Sequence, residues 1–219
     1  MDRNSRVVMA RQTVAICESG TYIGPTGVTV HISEALERAK RGTILCTPEN
    51  WPSCRQGDSA RSTRISVRNE TTFSALARLS SLGGHIACLN FASAKNPGGG
   101  FLGGALAQEE ALACASGIYP CLLRAPQFYE RHRANRSALY LHLAIFSPAV
   151  PFFRDDAGKL LNAPILASVI TAAAPNAGAI AQNESANRRF VDVHFAVLDR
   201  STGSPTYRTF AEKFSGVCV

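Results

Sequence analysis

Two adjacent carboxylates and a cluster of glycines stand within one short stretch, Leu89 to Glu110, which reads LNFASAKNPGGGFLGGALAQEE. Glu109 and Glu110 are residues that can give and take protons near a reacting bond. Glycosidic cleavage needs such a group: an acid protonates the leaving oxygen while an oxocarbenium-like centre is stabilised. Gly98, Gly99, Gly100, Gly103 and Gly104 let the backbone adopt positive φ and approach a ligand closely. Successive N–H groups in such a loop form a nest for anions, and a following helix adds its positive end. A phosphate or a sugar diphosphate is the natural guest. The loop lacks the G-K-[ST] ending of a P-loop. Each half also has a plain structural reading. A glycine loop can be only a turn, and acidic residues in a first helical turn favour the helix dipole by roughly 0.3–1 kcal/mol each. Their proximity adds weight, because an anion nest and two carboxylates would share one site.

The surrounding pattern supplies the elements that would hold this loop. Arg3–Ser19 reads as a helix. Tyr22–Ile32, with Gly24, Pro25 and Gly27 at its middle, reads as a hairpin. Ser33–Lys40 reads as a helix capped by Ser33. Short strands are expected over Thr43–Cys46 and Arg64–Val67, with a polar loop, Trp51–Arg64, between them. Thr71–Leu82 reads as a helix with an apolar face of Phe73, Leu76, Ala77 and Leu79. His85–Phe91 is a buried strand leading into the glycine loop, and Glu109–Tyr119 is the helix after it. Ala138–Ser147, Pro164–Ala172 and Val191–Leu198 read as further strands. Glu184–Arg189 is at most a helical turn, and Thr206–Phe214 reads as a helix. Strands alternating with helices predict an α/β layered domain.

Composition narrows the function. The chain has 219 residues, so one domain is expected. Hydrophobic residues make up 46% and charged residues 18%, which predicts a packed core. Lys and Arg number 23 against 16 Asp and Glu, and the net charge of +7 favours a polyanionic partner. A basic nucleic-acid-binding protein with a structural glycine loop has only that charge behind it. The longest uncharged stretch, Leu160–Asn183, is interrupted by Pro164, Pro175, Asn162, Asn176 and Gln182, unlike a membrane span of about 20 apolar residues. Residues 1–11 lack the apolar region of a secretory signal. Seven cysteines, without a C-x-x-C pair, read as reduced buried thiols of a cytoplasmic protein. The five histidines show no zinc spacing, so no metal is expected. Arg55, Arg61 and Arg64 could touch a polymer, though the segment reads first as a solvated loop. Trp51 reads as a core anchor before a base-stacking platform. Phe128–Arg136 reads as a solvated helix or loop face.

Gly98–Gly99–Gly100, seven residues, then Gln108–Glu109–Glu110 resembles the signature of the poly(ADP-ribose) glycohydrolases. The wider pattern is similar to the microbial (bacterial) type. Asn69–Glu70–Thr71–Thr72–Phe73, Leu89–Asn90–Phe91–Ala92–Ser93–Ala94 and Asn96–Pro97 carry it. So do Ser147–Pro148 with Arg154–Asp155–Asp156, Asn176–Ala177–Gly178–Ala179 and Phe195–Ala196–Val197–Leu198–Asp199. The resemblance implies a macrodomain-like three-layer α/β/α sandwich with a mixed central sheet and an N-terminal helical extension. Residues 1–219 would form one domain, with an extension over 1–65 and a core over 66–219. The implied activity is hydrolysis of ribose–ribose O-glycosidic bonds of poly(ADP-ribose), releasing ADP-ribose. Glu110 would be the catalytic acid and then the base for the incoming water, becoming a proton donor only with substrate bound. Glu109 would hold a ribose hydroxyl, and Gln108 would orient the pair. Gly98, Gly99 and Gly100 would bring the loop backbone to the substrate, while Asn90 and Asn96 shape the pocket. No metal or organic cofactor is implied. The partners implied are poly(ADP-ribose), ADP-ribose and poly(ADP-ribosyl)ated proteins. A monomer is expected in the cytoplasm, with no membrane and no specific nucleic acid.

The sequence departs from the family pattern at one place. A second glycine-rich loop of the type G-x-W-G-C-G-x-F should lie between Asn176 and Phe195. Only Ala177–His194 stands there, largely polar, with Gly178 as its sole glycine. The alternative that follows is an ADP-ribose-binding macrodomain with weak or no turnover.

Overall fold

The computed structural model describes residues 1–50, 65–135, 140–173 and 217–218. The chain opens with α1, Arg3–Ser19. Asp2 caps it by accepting the Ser5 N–H at 2.9 Å, and Gly20 ends it in the left-handed conformation, φ 71°. The expected hairpin is β1, Thr21–Ile23, antiparallel to β2, Thr29–His31. Helix α2 covers Ser33–Gly42. Ser33 is not its cap: the N-cap is Ile32, and the Ser33 hydroxyl donates to Gly20 O at 3.1 Å, tying α2 to the end of α1. Strand β3 covers Ile44–Cys46. Residues 65–67 do not form the expected strand, and Ile65 and Val67 are largely exposed.

Helix α3, Thr72–Ser80, is capped by Thr71, which accepts from Ser74 N–H. Ala75 and Leu76 form its buried stripe with half-buried Phe73 and Leu79, whereas the expected Ala77 is exposed. Strand β4, Ala87–Ala92, precedes the glycine loop, and a short 3-10 turn at Phe101–Gly103 precedes α4, Gln108–Ala115. The single helix expected over Glu109–Tyr119 is broken. Ser116 is extended and bridges to Phe152, and α5, Ile118–Leu122, starts afresh. Close packing at the break leaves little room for a side chain, since a Cβ on Gly117 would lie 2.6 Å from Leu36 Cδ1. Helix α6, Pro126–Ala134, buries Phe128, Tyr129 and His132, so it is half core rather than a solvated face.

Strands β5, Ala144–Arg154, and β6, Leu160–Ala173, form a long antiparallel hairpin at the centre of the main sheet. Its order is β3-β5-β6-β4-β7, with β7 at Val217–Cys218. β4 runs parallel to β6 and β7, and β3 runs antiparallel to β5, so the sheet is mixed. β3, from within the first 65 residues, is thus an edge strand of the main sheet. Helices α2 and α5 pack on β5, α3 on β6, and α4 on β4. The core joins Leu36, Leu76, Leu112, Ile118, Leu122, Phe128, Ile145 and Phe152. Two stretches expected to matter together meet here: Thr71 and Ser74 hydroxyls both donate to Asp156 at 2.8 Å, locking α3 to the β5–β6 turn. Among the described residues, no helix is long and apolar enough to cross a membrane. Trp51–Arg64, Glu184–Arg189, Val191–Leu198, Thr206–Phe214 and the interval Ala177–His194 lie outside the described residues.

Candidate active site

The site grows from the end of β4. Among the described residues, the β4 edge toward β7 is paired by a strand only at Ala87 and Cys88. The Gln108 side chain meets β4 beyond them: its Oε1 accepts the Phe91 N–H at 2.9 Å and its Nε2 donates to Leu89 O at 2.6 Å. One amide thus satisfies two backbone groups and fixes the start of α4 against the strand. Helix geometry then sends Glu109 inward and leaves Glu110 half exposed at the loop.

The loop closes over these carboxylates. Ser93 Oγ accepts the Lys95 and Asn96 N–H groups, each at 3.2 Å, and starts the turn. Asn96 is exposed, and its carbonyl accepts the Gly99 N–H at 3.0 Å. Glu110 Oε1 accepts the Gly100 N–H at 2.9 Å. The loop's amides, expected to face substrate, are engaged at Gly99 and Gly100 by the loop itself and by Glu110. Gly99 has φ 60°, and a Cβ there would lie 2.9 Å from Glu110 Cδ and 3.0 Å from Glu109 Oε2. Glycine is needed at this position on two counts, conformation and space. Gly98 is buried against Phe101, whose ring stacks edge-on to Tyr119 at 4.9 Å.

Residues not singled out in the sequence hold the loop from outside. Arg3 Nε donates to Gly103 O at 2.9 Å and Arg6 Nε to Gly104 O at 2.8 Å, so α1 clamps the far end. Arg133 from α6 donates to Lys95 O at 2.6 Å. Thr13 on α1 donates to Cys114 O at 2.5 Å, joining α1 to α4. These partners lie far apart in the chain, and no local pattern marks them.

Glu109 is 3% exposed and its Oε2 accepts the Ser93 N–H at 2.7 Å. Burial pushes its carboxyl up to about 7, opposed by the Ser93 N–H, reinforced by the Glu110 charge, and opposed again by the Asn90 amide and the Gly98 N–H. Its Oε1 is buried with no donor. Asn90 is wholly buried, so it lines the site behind Glu109 rather than at its surface. Of the expected residues, Gln108, Glu109, Glu110, Gly98, Gly99 and Gly100 converge, Asn90 backs them, and Asn96 contributes its carbonyl.

A mixed α/β sheet that presents a glycine loop and paired carboxylates at the end of a parallel strand defines a macrodomain-like protein with glycosidase machinery. The family model for the catalytic domain of microbial-type PARG matches residues 10–155. The chain belongs to this family, the microbial-type poly(ADP-ribose) glycohydrolases. It is similar to the Thermomonospora curvata poly(ADP-ribose) glycohydrolase bound to the inhibitor ADP-HPD, with 44% identity and a TM-score of 0.75. That match covers 85% of this chain and 69% of the other. The Deinococcus radiodurans enzyme in complex with ADP-ribose is 48% identical with a TM-score of 0.60, covering 68% of this chain and 62% of the other. No curated protein sequence matches the chain. The match to a catalytic domain favours the enzyme over the non-catalytic reader of ADP-ribose.

Proposed function

We propose that the chain hydrolyses the ribose–ribose O-glycosidic bonds of poly(ADP-ribose) and releases ADP-ribose, with Glu110 as general acid and base. The observation that carries this is the pairing of Glu110, held by the Gly100 N–H at 2.9 Å, with a buried Glu109 whose Oε1 has no donor. In this reading Glu109 Oε1, buried with no donor, accepts a hydroxyl of the ribose. Glu110 is half exposed, so a leaving oxygen can reach it. In the first step the glycosidic C–O bond breaks and the Glu110 proton goes to the leaving oxygen. In the second, water adds to the anomeric carbon and returns a proton to Glu110. As a carboxylate, Glu109 stabilises the positive charge that develops on the ring. Other partners follow from this reading: ADP-ribose itself and proteins that carry the polymer. Cys114 and Cys121 are buried free thiols, which supports a reducing, cytoplasmic setting.

The test is ADP-ribose release from poly(ADP-ribose) by the wild type and by Glu110→Gln. The variant is expected to keep its fold by circular dichroism and to lose roughly 10²–10⁴ in kcat. A folded wild type that binds ADP-ribose without turnover would replace this reading with the reader.

A further inference from the structure

A continuous line of hydrogen bonds joins the first helix to the exposed glutamate of the site. Glu110 Oε1 accepts the Gly100 N–H at 2.9 Å. The Gly100 carbonyl accepts two N–H groups, that of Gly103 at 3.0 Å and that of Ala105 at 3.2 Å. The Gly103 bond is local to the 3-10 turn, whereas the Ala105 bond closes the loop across it. The Ala105 N–H belongs to the same peptide unit as Gly104 O, and Arg6 Nε donates to that oxygen at 2.8 Å. A peptide unit is planar, so an oxygen held on one side fixes the direction of the N–H on the other. The bond at the oxygen also polarises that N–H and strengthens its hold on Gly100. Gly100 is thus held at its carbonyl from α1 and at its N–H by Glu110.

We propose that Arg6 is a positioning residue of this active site, which acts through the Gly104–Ala105 peptide and Gly100 to set the Glu110 carboxyl. Its effect on catalysis rests on the glycohydrolase reading, whereas the hydrogen-bonded line itself does not. Arg6 is half-buried, and among the described residues it forms no ion pair. Its guanidinium is spent on carbonyls, Gly104 O and, through Nη1 at 2.6 Å, Met1 O. A charged donor makes such a bond roughly twice as strong as a neutral one. Helix α1 also lies directly on the turn: Gly104 has φ 73°, and a Cβ there would lie 2.6 Å from Arg3 O. Arg3 supplies the contrast. Its Nε donates to Gly103 O, and the N–H of that peptide, on Gly104, goes to Phe101 O at 3.0 Å. The Arg3 line ends there and does not reach Gly100.

The experiment compares the wild type with Arg6→Met and Arg6→Gln. Methionine fills the side chain out to the position of Nε with a methyl and has no donor. Glutamine sets an amide nitrogen at that position and keeps a donor without the charge. The Gly100 amide proton is followed by NMR, with Glu110→Ala marking its place when the acceptor is gone, and kcat and KM are measured on poly(ADP-ribose). In Arg6→Met the Gly100 proton is expected to move toward its Glu110→Ala position, and kcat to fall roughly tenfold. Arg6→Gln is expected to restore both, while any rise in KM from the lost charge is common to the two variants. In Arg3→Met the Gly100 proton is expected to stay near its wild-type position. Thermal unfolding checks the fold, and Arg6→Ala replaces the methionine variant if that one does not fold. A Gly100 proton unmoved in the donor-free variant overturns the proposal, as does a glutamine variant that behaves like methionine, or a shift in Arg3→Met as large as that in Arg6→Met. With an active wild type, a kcat unchanged in Arg6→Met overturns it too. A wild type without turnover overturns the glycohydrolase reading alone, and the Gly100 shifts then still decide for or against Arg6.

Discussion

Glu109 is the residue where burial and chemistry oppose each other most clearly. Its carboxyl titrates near 7 because it is shut away from water, with one oxygen on the Ser93 N–H and the other without a donor. The consequence for stability has a definite sign. Between its ordinary value of 4.5 and about 7, the folded protein holds a proton that the unfolded chain has released. The stabilising contribution is complete below about 4.5 and is lost as pH rises through about 7. Above that, ionising Glu109 in place costs about 3 kcal/mol. Glu109→Gln cannot ionise and escapes this cost. Its thermal midpoint is expected to gain on the wild type as pH rises from 5 to 8; a pH-independent difference between the two would show that Glu109 is not a buried, raised carboxyl. The identity of this residue and of Glu110 was legible from two adjacent glutamates at a helix start. Which of them turns inward was not, because that depends on where Gln108 fastens the helix.

The fastening by Gln108 sets the behaviour of α4 and β4 as elements. Its amide supplies a donor to Leu89 O and an acceptor to the Phe91 N–H. Gln108→Ala leaves both backbone groups to water, at a cost of about 1–2 kcal/mol. The Phe91 amide is expected to exchange its hydrogen faster in this variant, with a lower thermal midpoint and a reduced kcat. Unchanged exchange at Phe91 would show that the splice does not hold the strand. Elements with strong local signals were legible in the sequence: α1 from its apolar period, β1–β2 from the turn glycines, α3 from its apolar stripe. The misreadings share a cause. Ser33 bonds Gly20 instead of capping α2, Ser116 leaves the helix to reach Phe152, and His132 turns into the core. Each is decided by a tertiary partner that no nearby residue announces. The same holds for the Arg3 and Arg6 clamp on the glycine loop, whose partners lie about 100 residues away.

Across the whole molecule, the fold sets cations around the loop where the proposed reading brings the polymer. The chain carries a net +7. Arg3 and Arg6 flank the far end of the glycine loop, and exposed Lys95 and Arg133 flank its start. These cations do not touch the carboxylates; they surround the loop that encloses them. A polymer with two phosphates in each repeat releases counterions as such a surface neutralises it, by roughly 0.7 per phosphate for a single strand. On the proposed mechanism the chemical step is different, since there it depends on Glu109 and Glu110 rather than on the surface cations. Salt is therefore expected to separate binding from chemistry. Raising ionic strength from 50 to 200 mM should raise KM for poly(ADP-ribose) severalfold with little change in kcat. Lys95→Ala should show a shallower dependence of KM on salt, while its kcat at saturation stays near the wild-type value. A KM indifferent to salt would mean that the basic surface takes no part in holding the polymer, and that recognition lies entirely within the loop and the two glutamates.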